Sequence, residues 1–240
     1  MKPKKPYWVE RMNAARKAWA ALRPGDRPAG RRASAGGFSF WTKRQVAPGV
    51  QWQVDVQALS VFWVKKDWEI SVKLYLFDRE VAALMARAEG DDYRMRWCVS
   101  FDVLAAADSL EGRDRAWAPP AFSFEATDDA VSRQLAAYSR RIDRLWQFAG
   151  GQDLAAFRKL AVWVMRNPGS AGSFRTGLGM ICAAWAYGEP ELAASLLEAY
   201  EAQWEEQLAD RAYDVLPNAR PQLQAQFGRL RDMIGLPPKA

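Results

Sequence analysis

Between Phe38 and Phe77 the apolar residues fall on every second position: Trp52, Val54 and Val56 in one run, then Trp68, Ile70, Val72, Leu74 and Leu76 in the next. Successive side chains of an extended chain point to opposite sides, so this period of two demands strands with one buried face; a helix would scatter the same positions around its axis. Ala47-Pro48-Gly49 supplies the turn between a first strand, Phe38 to Arg44, and a second, Val50 to Leu59. A third, Trp68 to Phe77, follows a turn at Lys65-Lys66-Asp67. A fourth strand is expected over Arg94 to Leu104, with Trp97, Val99, Phe101 and Val103 inward, and a weaker fifth through Phe122 and Phe124. Short connections favour antiparallel pairing, with Trp52, Trp68 and Trp97 sharing the buried face.

Helical spacing frames these strands. Trp8, Met12, Ala15, Trp19 and Leu22 recur along Tyr7 to Leu22, and Pro24-Gly25 stops that helix. Arg23 to Gly37, rich in Pro, Gly, Ala and Arg, reads as an exposed loop. Asp78 caps a short helix from Arg79 to Ala88. After Thr127 the period becomes helical throughout: Val131 to Trp146, Leu154 to Val164, a helix capped by Ser173 running from Phe174 to Trp185, one opened by Pro190, and a last one opened by Pro221. The stretch from Gly177 to Trp204 resembles a single tetratricopeptide-type helix–turn–helix unit, in which Gly177, Gly179, Ala183 and Ala184 let two helices approach. Without a repeating period it is expected to be an ordinary helical hairpin. Strands first and helices later give an α+β fold: an N-terminal helix, an antiparallel sheet of four to five strands, and a C-terminal helical bundle. Residues 1–126 are expected to form the helix and sheet, with 127–240 packed on them, as two units or one single domain.

The chain has no histidine, which excludes Ser-His-Asp and Cys-His nucleophile systems and leaves few metal ligands beyond carboxylates. Its two cysteines, Cys98 and Cys182, lie far apart. No disulfide framework, bound metal or cofactor is expected, and a reducing cytoplasm is the simplest setting. The N-terminus lacks the apolar run of a secretory signal, and no apolar stretch approaches the roughly 20 residues that span a bilayer, so a soluble protein without membrane association is expected. Basicity is concentrated at one end: residues 1–45 hold twelve Lys and Arg against Glu10 and Asp26, and the remainder is net acidic.

Two sets of residues are candidates for chemistry. The polar side of the sheet carries Gln53, Asp55, Gln57, Glu69, Ser71, Lys73, Tyr75, Arg96 and Asp102. Of these, Asp55, Glu69, Lys73 and Tyr75 are the weak catalytic candidates, able in principle to do acid/base work without histidine. The same mixture also suits an ordinary solvent-facing sheet surface. Arg31, Arg32, Trp41, Lys43 and Arg44, together with Trp63, are the binding candidates. Arg31-Arg32-Ala33-Ser34 reads as a phosphate-binding patch, a phosphorylation site, or simply a solvated run. Trp8, Trp19, Phe38 and Trp41 among the cations are a mixture that suits nucleic acid, unless they are core residues.

Gly37-Phe38-Ser39-Phe40-Trp41, Val54-Asp55-Val56-Gln57 and Glu69 to Leu76 together resemble an uncharacterised bacterial domain-of-unknown-function family, some members of which are of the immunity type. The resemblance covers residues 7–77, and the chain departs from it at Ala58 and Leu59, where a polar pair is usual. It implies a helix-plus-sheet scaffold and a binding role, with no catalytic residues carried over. The leading expectation is a non-catalytic bacterial protein that binds another protein, in an immunity-type or regulatory role. The alternatives are an enzyme working from the polar sheet face and nucleic-acid association through the basic N-terminal segment.

Overall fold

The computed structural model describes residues 5–34, 36–60, 67–90, 97–113, 121–169, 177–209 and 219–237. Helix α1 (Lys5–Leu22) buries Trp8, Met12, Ala15 and Trp19, one stripe at helical spacing. Leu22, the last apolar residue in that series, stays exposed because the chain turns inward at Arg23 instead.

Among the described residues six strands follow, β1 (Arg27–Ser34), β2 (Gly37–Ala47), β3 (Val50–Ser60), β4 (Asp67–Asp78), β5 (Val99–Asp102) and β6 (Ala121–Ser123). They form one antiparallel sheet in the order β1-β2-β3-β4-β5. The far edge of β4 is shared, with β5 pairing Lys73 to Leu76 and β6 pairing Asp67 to Glu69. Register aligns the inward rows: Phe38–Ala58–Ile70, Phe40–Val56–Val72, Thr42–Val54–Leu74–Phe101, and Arg44–Trp52–Leu76–Val99. All of these except Arg44 are buried.

Helices cover that inward face. They are α2 (Arg79–Glu89), α3 (Val103–Leu110), α4 (Asp128–Ala149), α5 (Leu154–Arg166), α6 (Leu178–Ala186), α7 (Pro190–Ala209) and α8 (Ala219–Ile234). Asp78, Asp102, Thr127 and Asp153 each accept hydrogen bonds from first-turn N–H groups, capping α2, α3, α4 and α5. The Tyr138 hydroxyl on α4 donates to the Ile70 carbonyl at 2.8 Å, pinning that helix to the middle of the sheet. Further out, α6 packs on β5 and α2, α7 on α6, and α8 on α2 and α7. The architecture is α+β, with an N-terminal helix, an antiparallel sheet and C-terminal helices.

Four local expectations need correction. The loop expected over Arg23 to Gly37 contains β1, held by pairing with β2, and this raises the strand number to six. The strand expected over Arg94 to Leu104 is shorter. Asp102 accepts from the N–H groups of Leu104 and Ala105, so Val103 and Leu104 begin α3. Trp97 precedes the paired residues of β5 and escapes their alternation: its ring packs on Tyr75 (5.5 Å) and Phe77 (6.2 Å), on the sheet's outer side, while Trp52 and Trp68 are fully buried. Gly179 serves a different approach from the one expected, since a Cβ there would lie 2.2 Å from the Cys98 carbonyl oxygen; the missing side chain seats α6 against β5. Ser173, Phe174, Lys65, Lys66 and Arg96 lie outside the described residues.

Candidate functional site

The first candidate is the outer face of the sheet. Register sets Trp41, Asp55, Lys73 and Asp102 in one cross-strand row and Lys43, Gln53, Tyr75 and Ser100 in the next. The Gln57 amide donates to Asp55 Oδ2 at 2.7 Å, while Asp55 Oδ1 is buried without a hydrogen-bond partner. Burial pushes the Asp55 carboxyl up from its ordinary range, against the hydrogen bond from Gln57 and the charge of Lys73. Burial also pushes up the Tyr75 phenol, and the Asp55 charge adds to it. Asp55, Lys73 and Tyr75 therefore form one neighbourhood. Glu69 does not belong to it: four residues from Lys73 on the same strand, it is about 13 Å away along β4, paired with Leu59. Its carboxyl is raised by burial alone. None of the three recesses that the described residues form at Trp204 and Phe227, at Arg87 and Met233, and at Arg32 and Leu59 is lined by Asp55, Lys73 or Tyr75, so this neighbourhood has the proton-bearing groups of an acid/base site apart from those recesses.

The second candidate is the β1 edge. Strand β1 pairs with β2 alone among the described strands, so one row of its backbone N–H and C=O groups faces away from the sheet. The pairing slips between Pro28 and Gly30, then runs in regular register from Gly30 opposite Trp41 to Ser34 opposite Gly37. The slip falls where proline removes a donor. Gly30 is required by its neighbour: a Cβ there would meet the Trp41 indole at 2.2 Å, so the absent side chain lets Trp41 lie across the strand. Arg27, Arg31 and Arg32 are exposed, and none of them has an ion-pair partner among the described residues. Arg31 sits opposite Phe40 and Arg32 opposite Ser39, so the two guanidinium groups leave β1 on opposite faces. Next to Arg32, the side chains of Ser34, Ser39, Gln57 and Leu59 line a recess of about 230 Å³, and Leu59 is one of the few exposed large apolar residues, at 50%. Ser34 is tied into the hairpin, its hydroxyl accepting from the Gly36 N–H at 3.3 Å and donating to the Gly37 carbonyl at 3.4 Å.

Other N-terminal cations are used inside the fold. Arg11 pairs with Asp128. Arg23, buried, donates to Asp26 (3.2 Å), Ser139 Oγ (3.2 Å) and Asp143 (2.9 Å). The Arg44 guanidinium meets the second Asp26 oxygen at 2.8 Å and also donates to Gln152. Both guanidinium groups lie 5.5 Å from the ring of the buried Trp52. Arg44 is therefore part of a clamp joining the α1–β1 connection, β2 and α4. Lys43 points to the outer face, 5.9 Å from the Trp97 ring. Trp63 lies outside the described residues.

The thiols of Cys98 and Cys182 are buried and each is pushed up to about 12, chiefly by burial. Nucleophilic thiolate chemistry at neutral pH is thereby disfavoured. Among the described residues no group of three Cys, Asp or Glu is placed to hold a metal, and no helix is long and apolar enough to cross a membrane. No known protein family, curated protein or solved structure matches this chain. The functional reading therefore rests on this geometry. Sequence reasoning singled out Arg31, Arg32, Trp41 and Lys43 and placed the last two on a strand, but missed β1, the strand that presents Arg31 and Arg32; its alternation-free, Pro- and Gly-containing run gave no signal for it.

Proposed function

We propose that this chain acts by binding another protein, through the edge of the sheet formed by β1 and the adjoining part of β2. The observation that carries this reading is a strand edge that no other described strand pairs with, bearing three exposed arginines, Arg27, Arg31 and Arg32, without ion-pair partners among the described residues. A protein edge of this kind has main-chain donors and acceptors to offer as well as charge, and a polypeptide can use both. Nucleic acid would use the charge and would look for aromatic surfaces to stack on. The N-terminal aromatics are spent in the core: Trp8, Trp19 and Phe38 are buried, and Trp41 is laid against Gly30. An immunity-type role, with a toxin as partner, is the specific form that the resemblance of residues 7–77 implies.

A photo-crosslinking side chain placed at exposed Leu59, with a second chain carrying it at Phe148 on α4, tests the reading in extract of the encoding organism. The expected result is a discrete, nuclease-resistant adduct from position 59, none from position 148, and loss of the first on Arg31→Glu with Arg32→Glu. Adducts from position 148 alone, adducts removed by nuclease, or none at all would overturn it.

A further inference from the structure

We infer that the partner segment is an extended acidic stretch that adds to β1 as a seventh strand, with consecutive carboxylates opposite Arg31 and Arg32. This rests on the reading of the β1 edge given above and specifies its ligand. Three features of the edge converge on it.

The first is length and regularity. From Gly30 to Ser34 the strand is in unbroken register with β2, and beyond that its turn closes at Gly37. Five residues of regular edge extend about 17 Å, enough to hold a short added strand through alternate main-chain groups. Natural sheets usually obstruct such an edge with proline, a bulge or charge. Here the proline and the irregularity sit together at Pro28 to Gly30, at the other end of the strand. The regular half is protected by charge alone, and a segment of opposite charge removes that protection.

The second is where the charges point. Arg31 and Arg32 are neighbours on a strand, so one guanidinium lies over each face of the sheet. An incoming strand alternates in the same way. A single acidic residue satisfies one of them; two in succession satisfy both, each through a charge-assisted hydrogen bond. Arg27 extends the same preference toward the start of the strand.

The third is what the edge refuses. Two copies of this chain pairing β1 to β1 would bring Arg31 and Arg32 of one against the same arginines of the other, and like charges directly opposite are unfavourable. The occupant is accordingly a different chain.

The test uses the full chain and fluorescein-labelled seven-residue peptides read by fluorescence anisotropy. The probe is Thr-Val-Glu-Asp-Val-Thr-Val, with Thr-Val-Lys-Lys-Val-Thr-Val as its charge reversal, two versions of the acidic probe N-methylated at even or at odd positions, and an oligothymidylate of similar charge. Saturable binding is expected for the acidic probe. It should be at least about tenfold weaker for the basic peptide, and the preference should invert on Arg31→Glu with Arg32→Glu, since two favourable charge pairs are replaced together by two unfavourable ones. One of the two N-methylated probes should lose binding and the other keep it, because only alternate N–H groups face β1. Equal binding of both N-methylated probes would overturn the added strand. Indifference to peptide charge, or no peptide binding, would overturn the acidic segment. In each of these cases the crosslink from position 59 still decides whether a protein binds here. Tighter binding of the oligothymidylate would overturn both.

Discussion

Asp55 on β3 and Asp26 just before β1 show how two carboxylates can be buried to different ends. Asp26 lies between the guanidinium groups of Arg23 and Arg44, and burial pushes its carboxyl up against their pull. Its removal leaves Arg23, only 4% exposed at its side chain, short of its nearest sequence partner. Asp26→Ala is expected to lower stability by about 3 kcal/mol, as breaking one side of a buried ion pair does, read as a lower urea midpoint at unchanged m. Asp55 has one oxygen bonded to Gln57 and one with no partner. Its carboxyl is raised in the folded chain, so the fold binds that proton more tightly than the unfolded chain does. The stability it contributes is complete below the unfolded carboxyl value, about pH 4, and is lost as pH rises through the folded value. Asp55→Asn removes this loss. The variant is expected to melt with the parent near pH 4 and above it at neutral pH, by about 2–4 °C for each kcal/mol gained in a chain of this size. Thermal melts across that range check it, and a gain confined to acid would refute the burial argument.

At the scale of elements, the parts that can be read directly from the sequence are those whose pattern and partners agree. Strands β3 and β4 bury every second residue from Val50 to Ala58 and from Trp68 to Leu76 because each has one face on the core, and the stripe of α1 is complete from Trp8 to Trp19 for the same reason. Strand β1 is a strand by pairing alone. Its residues Arg27 to Ser34 have the composition of a loop, and an edge strand exposed on both faces has no hydrophobic period to show. Trp97 misleads for a related reason: it carries the parity of Val99 and Phe101 but lies ahead of the pairing that gives parity a meaning. The Asp102-to-Ala107 run holds both a strand end and a cap, and only the cap geometry decides between them. Gly179 gives the sharpest test of element packing. Gly179→Ala would press a methyl group onto the Cys98 carbonyl, a backbone atom that cannot rotate away. A loss of about 1–3 kcal/mol is expected, the usual cost of overpacking, with equilibrium denaturation as the measurement. The same substitution at Gly228, which meets nothing within 4 Å, is the matched control and should leave the seating of α6 intact.

Across the whole molecule a single cluster of buried apolar residues runs from Trp8 on α1, through the sheet, to Ile234 on α8. A core shared in this way couples sheet and helices. Unfolding followed by tryptophan fluorescence and by far-ultraviolet circular dichroism is expected to give one coincident transition. Separate midpoints for the helical signal and the tryptophans would show that the C-terminal helices melt as their own unit. The proposed binding edge sits on β1, a strand with little burial, so charge reversal at Arg31 and Arg32 is expected to leave that transition in place. The sequence by itself determined the α+β class, the one-sided strands and the missing histidine chemistry, because periodicity and composition are local properties of the chain. Which arginines are consumed in the Trp52 clamp and which have no partner among the described residues was decided only by the tertiary structure. A guanidinium's role depends on the carboxylates and rings folding brings beside it, and those partners lie up to 120 residues away along the chain.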